Sequence, residues 1–167
     1  MEKFVKITLK LMMVPIIGLI VSCAGEPDCS LINRASLYGN FYTYNDNGMV
    51  VRGALQSLTI RAIKEEGKDT ILLNSMQNVQ NIDIPLQYNA DTTAIVFQYN
   101  ELAYDTIIFE HTNSPYFVSM ECGYEMKQAV TNLRYTEHGI DSIILRDINT
   151  NKDGTENLRI FFTSDAE

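Results

Sequence analysis

The chain of 167 residues contains no tryptophan, two histidines and three cysteines, and each scarcity removes a class of chemistry. His111 and His138 are 27 positions apart, with no His-x-His and no helical His–Glu pattern, so a zinc site lacks its usual starting material. Sugar-binding platforms usually include tryptophan, and its absence tilts against a glycan module. No Gly-x-Ser-x-Gly elbow, phosphate loop or dinucleotide fingerprint occurs. No catalytic residue, cofactor-binding residue or cofactor is therefore expected, and the chain reads as non-catalytic. Positive charge is scarce as well: 13 Lys and Arg stand against 21 Asp and Glu, a net charge of −8. That balance argues against nucleic acid as a partner. The apolar run from Leu11 to Val21 has eleven residues, too few for the roughly 20 that span a bilayer as a helix.

That run is nevertheless informative. Lys3, Lys6 and Lys10 precede it, and a positive opening followed by a short apolar core is the pattern of a secretory signal, here residues 1–22. The run ends in Leu19-Ile20-Val21-Ser22-Cys23, which resembles the lipobox of bacterial lipoproteins. The resemblance implies that Cys23 becomes the mature N-terminus and carries a thioether-linked diacylglycerol plus an acyl chain such as palmitate. Several acyl chains hold a protein far more firmly than one. The mature chain would lose three lysines and Glu2, leaving 10 basic and 20 acidic residues and a net charge of −10, which disfavours contact with an anionic lipid surface. Residues 23–30 then read as the lipidated N-terminus with a short linker, and residues 31–167 as one domain. Export places the remaining cysteines where disulfides persist. With Cys23 acylated, the pairing left is Cys29 with Cys122.

After Cys29 the chain reads as short strands parted by turns. The candidates are 35–44, 58–63, 70–73, 82–86, 93–99, 105–111, 116–122, 128–135, 140–146 and 157–163. Ile95, Phe97 and Tyr99 alternate onto one face, as do Ile107 and Phe109, and Leu158, Ile160 and Phe162. Tyr116, Val118, Met120 and Cys122 alternate the same way and are expected to face the core. The count of nine or ten strands predicts an all-β antiparallel sandwich, with a lipocalin-like barrel as the alternative.

The segments IDIPLQYNADTTAIVFQYN (82–100), YFVSMECGYE (116–125) and TEHGIDSIILRDINTNKDGTENLRIFF (136–162) resemble an uncharacterised family of Bacteroidetes envelope lipoproteins, a domain of unknown function. Cys29 and Glu121-Cys122-Gly123 match the paired cysteines of that family. The resemblance implies a β-rich domain anchored in the cell envelope, in the outer membrane, and supplies no reaction. An outer-membrane protein is the expected partner.

One polar run invites a metal reading. Asn149, Asn151, Asp153 and Gly154 echo the alternate-ligand spacing of a calcium loop, but the twelfth position counted from Asn149 is Ile160 rather than a glutamate. A hairpin turn at Asp153-Gly154 is the favoured reading. Glu121 is expected on the solvated face and His138 in a turn. Nine tyrosines supply amphipathic rings, with Tyr42, Tyr44, Tyr99 and Tyr104 as candidates for exposure, and tyrosine suits protein interfaces. The chain is thus expected to be a lipid-anchored adaptor acting by protein contact, with a glycan- or small-ligand-binding lipoprotein as the alternative.

Overall fold

The computed structural model of the chain describes residues 34–64, 68–120 and 122–162. Residues 1–22, read above as a signal peptide, the expected linker 23–30 with Cys23 and Cys29, and Glu121 lie outside the described residues. Ten strands occur among the described residues: β1 (Leu37–Tyr44), β2 (Val50–Arg52), β3 (Leu55–Ile63), β4 (Thr70–Val79), β5 (Asn81–Ile84), β6 (Thr92–Gln98), β7 (Tyr104–Ser119), β8 (Gly123–Tyr135), β9 (Ile140–Leu145) and β10 (Glu156–Phe162). One sheet has the order β2-β1-β10-β9, with β5 also paired to β1, and the other β4-β3-β6-β7-β8. The architecture is the expected all-β sandwich, with no closed barrel.

Alternation explains the layers. In β7, Asp105, Ile107, Phe109 and His111 are buried while the residues between them are not. Leu158, Ile160 and Phe162 turn inward from β10. Phe41 of β1 joins the two layers, meeting Phe97 of β6 and Phe162 of β10 edge-on at 6.2 Å each. Fully burying each such side chain contributes roughly 1.5–3 kcal/mol. Gly53 allows the chain to pass this cluster, because a Cβ there would lie 2.6 Å from the Phe162 ring.

β1 runs parallel to β10, with Tyr42 beside Phe161, whereas β1–β2, β1–β5, β9–β10, β3–β4, β3–β6 and β6–β7 pair antiparallel. The outer edge of the second sheet, β4, is broken by Ser75 and Asn78 at positive φ. The Ser75 N–H bonds to Thr59 Oγ1 at 3.0 Å. Such irregularity blunts an edge against further strand pairing. The segment 146–155 stitches the sheets together: Asn151 and Ser36 exchange backbone bonds at 2.9 and 3.0 Å, and Asn149 bridges Ala129 of β8.

Two expectations are corrected here. The segments read as separate strands at 105–111 and 116–122 form one, β7, which runs through Pro115. Pairing with β6 stops at Glu110, so Pro115 occupies a stretch with one unpaired side, where a missing N–H is tolerated. Beyond that point β7 and β8 continue as a two-stranded ribbon, and the alternation there no longer means a core. Tyr116, Val118 and Met120 are exposed, Met120 to 87%. Cys122 is not on the core face of a strand. It lies in the connection, with its N–H donated to Ser119 Oγ at 3.0 Å.

Candidate interaction face

The outer face of the first sheet is built from residues that pairing brings side by side, since directly opposed residues share a face. Arg52 and Val50 of β2 lie opposite Tyr42 and Tyr44 of β1. Tyr42 and Asn40 lie beside Phe161 and Arg159 of β10, which lie opposite Ser142 and Ile144 of β9. Phe161 is sandwiched between Tyr42 and Tyr44, with ring centroids 5.6 Å apart on each side. The guanidinium groups of Arg159 and Arg52 sit 5.2 and 5.9 Å from the Tyr42 ring centre, an arrangement contributing about 0.5–1 kcal/mol per pair at such sites. Tyr42 and Phe161 are buried by their neighbours, whereas Tyr44 is 54% exposed and Val50 and Ile144 are nearly as open.

Glu156 fixes this arrangement. Its carboxylate accepts from Tyr42 Oη and Asn40 Nδ2 at 2.6 Å and from Arg159 Nε at 2.7 Å. Burial would raise its pKa, but the bonds from Arg159, Tyr42 and Asn40 hold it below the ordinary glutamate value. Burial, and then Glu156, push the Tyr42 phenol upward. The face therefore offers rigid rings and a guanidinium, Arg52, which donates to Asn40 Oδ1 at 3.0 Å. Its composition is that of binding hot spots, which favour tyrosine and arginine.

Residues 57–162 match a family of unknown function, DUF6452. The chain belongs to that family. No curated protein and no solved structure matches it. The DUF6452 match begins inside β3, so β1 and β2, which supply Tyr42, Tyr44, Val50 and Arg52 to the face, precede it.

Among the described residues of this DUF6452 chain, the most heavily bonded buried polar group is Asp105. Asp105, fully buried at the start of β7, accepts through Oδ1 from Thr136 Oγ1 (2.7 Å), the His138 N–H (2.8 Å) and His138 Nδ1 (3.2 Å). Through Oδ2 it accepts from Tyr99 Oη (3.0 Å) and the N–H groups of Gly139 (2.7 Å) and Ile140 (2.9 Å). Burial acts to raise its pKa, and the backbone and Thr136 bonds overcome that, lowering it to about 2. With its lone pairs occupied, this carboxylate is a staple for the β8–β9 turn and not a base. Of the four tyrosines named as candidates for exposure, Tyr44 and Tyr104 are exposed and Tyr42 and Tyr99 are buried. His138 does lie in the turn. His111 is buried, with Nε2 2.9 Å from Thr93 Oγ1, and burial lowers its pKa.

The side chains of Asn149, Asn151 and Asp153 are engaged in hydrogen bonds within and beside the loop. Asp153 Oδ1 accepts the Thr155 N–H, Asn151 Oδ1 accepts the Gly154 N–H, and Asn149 Nδ2 donates to Asp147. Gly154 takes the positive φ of 76° that the bend requires. The loop thus satisfies its own backbone. Millimolar calcium is expected to leave the melting temperature where a chelator leaves it; an upward shift that vanishes in Asp153→Ala would show a bound ion, because ligand at 100-fold excess over Kd adds about 2.7 kcal/mol.

A cleft of about 630 Å³ includes Arg34, Lys64, Leu72, Gln87 and Tyr88 in its lining. Its most forceful cation is already engaged, since Arg34 donates to the Leu86 carbonyl and lies 3.9 Å from the Tyr88 ring centre. Cys122 is not a free thiol.

Proposed function

We propose that this DUF6452 chain is a lipid-anchored protein of the cell envelope, held at the outer membrane through acyl chains on Cys23, that acts without catalysis by protein–protein contact. The contact surface in this reading is the Tyr42–Phe161–Tyr44 ladder with Arg52 and Val50, and the partner is an outer-membrane protein with a complementary aromatic and acidic patch. The observation that carries the reading is a preorganised, partly exposed aromatic–arginine face, with rings already locked by stacking and by Glu156. Rings held in place lose little freedom on binding, which favours affinity.

Two measurements test it. Cys23→Ala should abolish lipid labelling and release the protein from membrane fractions. Crosslinking in native envelope should recover an outer-membrane protein, with recovery retained in the control Ile71→Ala on β4. Tyr44→Ala with Arg52→Glu should weaken that capture about 10–30-fold, the effect of removing a hot spot. Equal capture by all three proteins would reject this face as the contact.

A further inference from the structure

The ribbon formed by β7 and β8 beyond Glu110 presents apolar side chains on both of its faces. Tyr116 and Val118 project from one face. Phe117 projects from the other, edge-on to Tyr124 at 5.5 Å. All four are exposed, Phe117 to 52% and Tyr124 to 73%. The overhang runs about 25 Å past the last residue paired with β6, at the usual rise per residue. Behind the apolar part comes a polar collar: Glu125 accepts from Tyr116 Oη and from Lys152 Nζ.

A groove on a protein covers one face of such a ribbon, whereas end-on entry into a lipid interface covers both at once. Tyrosine and phenylalanine followed by a polar collar also match the residue order at a membrane–water boundary. Chain length points the same way. On the proposed reading in which Cys23 is acylated and Cys29 is bonded to Cys122, six residue steps separate the lipid from Cys29, about 20 Å fully extended. The disulfide adds about 5.5 Å between Cα atoms. Cys122 then lies within about 25 Å of the lipid-bearing residue, and Tyr124 is two residues further along.

We infer that the end of the β7–β8 ribbon is a second membrane contact, seated end-on in the lipid interface beside the acyl anchor. This inference rests on the lipid-anchor part of the proposed function and is independent of the protein-binding face. The Glu125–Lys152 collar keeps entry shallow, at the headgroup boundary and about 5–10 Å deep. Uncharged rings make the contact, so the net negative charge of the chain does not oppose it on a zwitterionic surface.

The absence of tryptophan makes the test direct, because one substitution gives one indole. The full lipid-bearing protein is reconstituted in phosphatidylcholine vesicles with and without bromine on the acyl chains. The indole introduced by Tyr124→Trp should be quenched by bromine, and so should that of Phe117→Trp, a second probe should the first disturb the turn. Tyr104→Trp, at the other end of β7 and about 40 Å away along the strand, should be unquenched. Loss of bromine quenching at both tip probes, in protein that still floats with the vesicles, overturns the inference and leaves the anchor intact. Equal quenching at Tyr104→Trp overturns the end-on geometry, and protein that does not float removes the anchor and the inference together.

Discussion

Replacing Asp105 with alanine should destabilise the domain by about 3–5 kcal/mol, because it strands several buried donors at once. The N–H groups of His138, Gly139 and Ile140 and the hydroxyls of Tyr99 and Thr136 all point at that carboxylate. A loss of this size is a large share of the 5–15 kcal/mol typical of a domain. Asp105→Asn keeps the volume but turns an acceptor into a donor facing other donors, so it too should be strongly destabilised. The His138 imidazole, largely solvent-exposed, adds little as an ion pair. Acid gives a second handle on the same group. Its folded pKa of about 2 lies below the ordinary aspartate value near 4, so its contribution is complete above pH 4 and disappears as pH falls through about 2. The linked stability is about 2 kcal/mol. His111, lowered by burial, titrates in a separate window: its contribution is lost as pH falls below the ordinary histidine value. Urea unfolding of wild type and Asp105→Asn between pH 5 and pH 2 checks this, since the variant should lack the lower step.

The second large effect belongs to the proposed Cys29–Cys122 bond. It would close a loop of 93 positions, and the chain-entropy estimate for about 100 residues is up to roughly 4.7 kcal/mol. Cys29→Ser and Cys122→Ser should then lower stability equally, and the double variant should be little worse than either. Mass spectrometry of non-reduced protein purified from the envelope reads the bond directly. Two free thiols, or unequal and additive losses in the two variants, would reject it.

Strand existence was legible because a sandwich forces alternate residues into a shared core, and Ile95, Phe97, Leu158 and Ile160 obey that rule. The same rule failed at Tyr116 to Cys122. Alternation there reflects a ribbon with no layer packed over it, and only the pairing partners distinguish the two cases. Pro115 falls between the two segments read as separate strands, yet a proline is damaging only where a neighbouring strand needs its N–H. Asp105 carried a readable signal: a carboxylate in phase with Ile107 and Phe109 must either be exposed or be surrounded by donors. Apart from Tyr99, its donors come from residues 136–140, more than thirty positions away, so the sequence around it could not identify them. The aromatic face was half visible. Tyr42 and Tyr44 stood out as a tyrosine pair, but Phe161 and Arg159 reach them through a parallel pairing that no local pattern encodes.

That parallel pairing also sets the timing of assembly. β1 leaves the ribosome early, yet its long neighbour in the sheet is β10, and the Tyr38 N–H bonds to the side chain of a residue 119 positions later. Contacts this distant close slowly. The middle of the first sheet stays open until β10 has been synthesised, so a nascent chain has no complete first sheet before then. On the proposed reading of an exported lipoprotein, this delay keeps the chain open enough to be threaded through a narrow translocation channel before it folds.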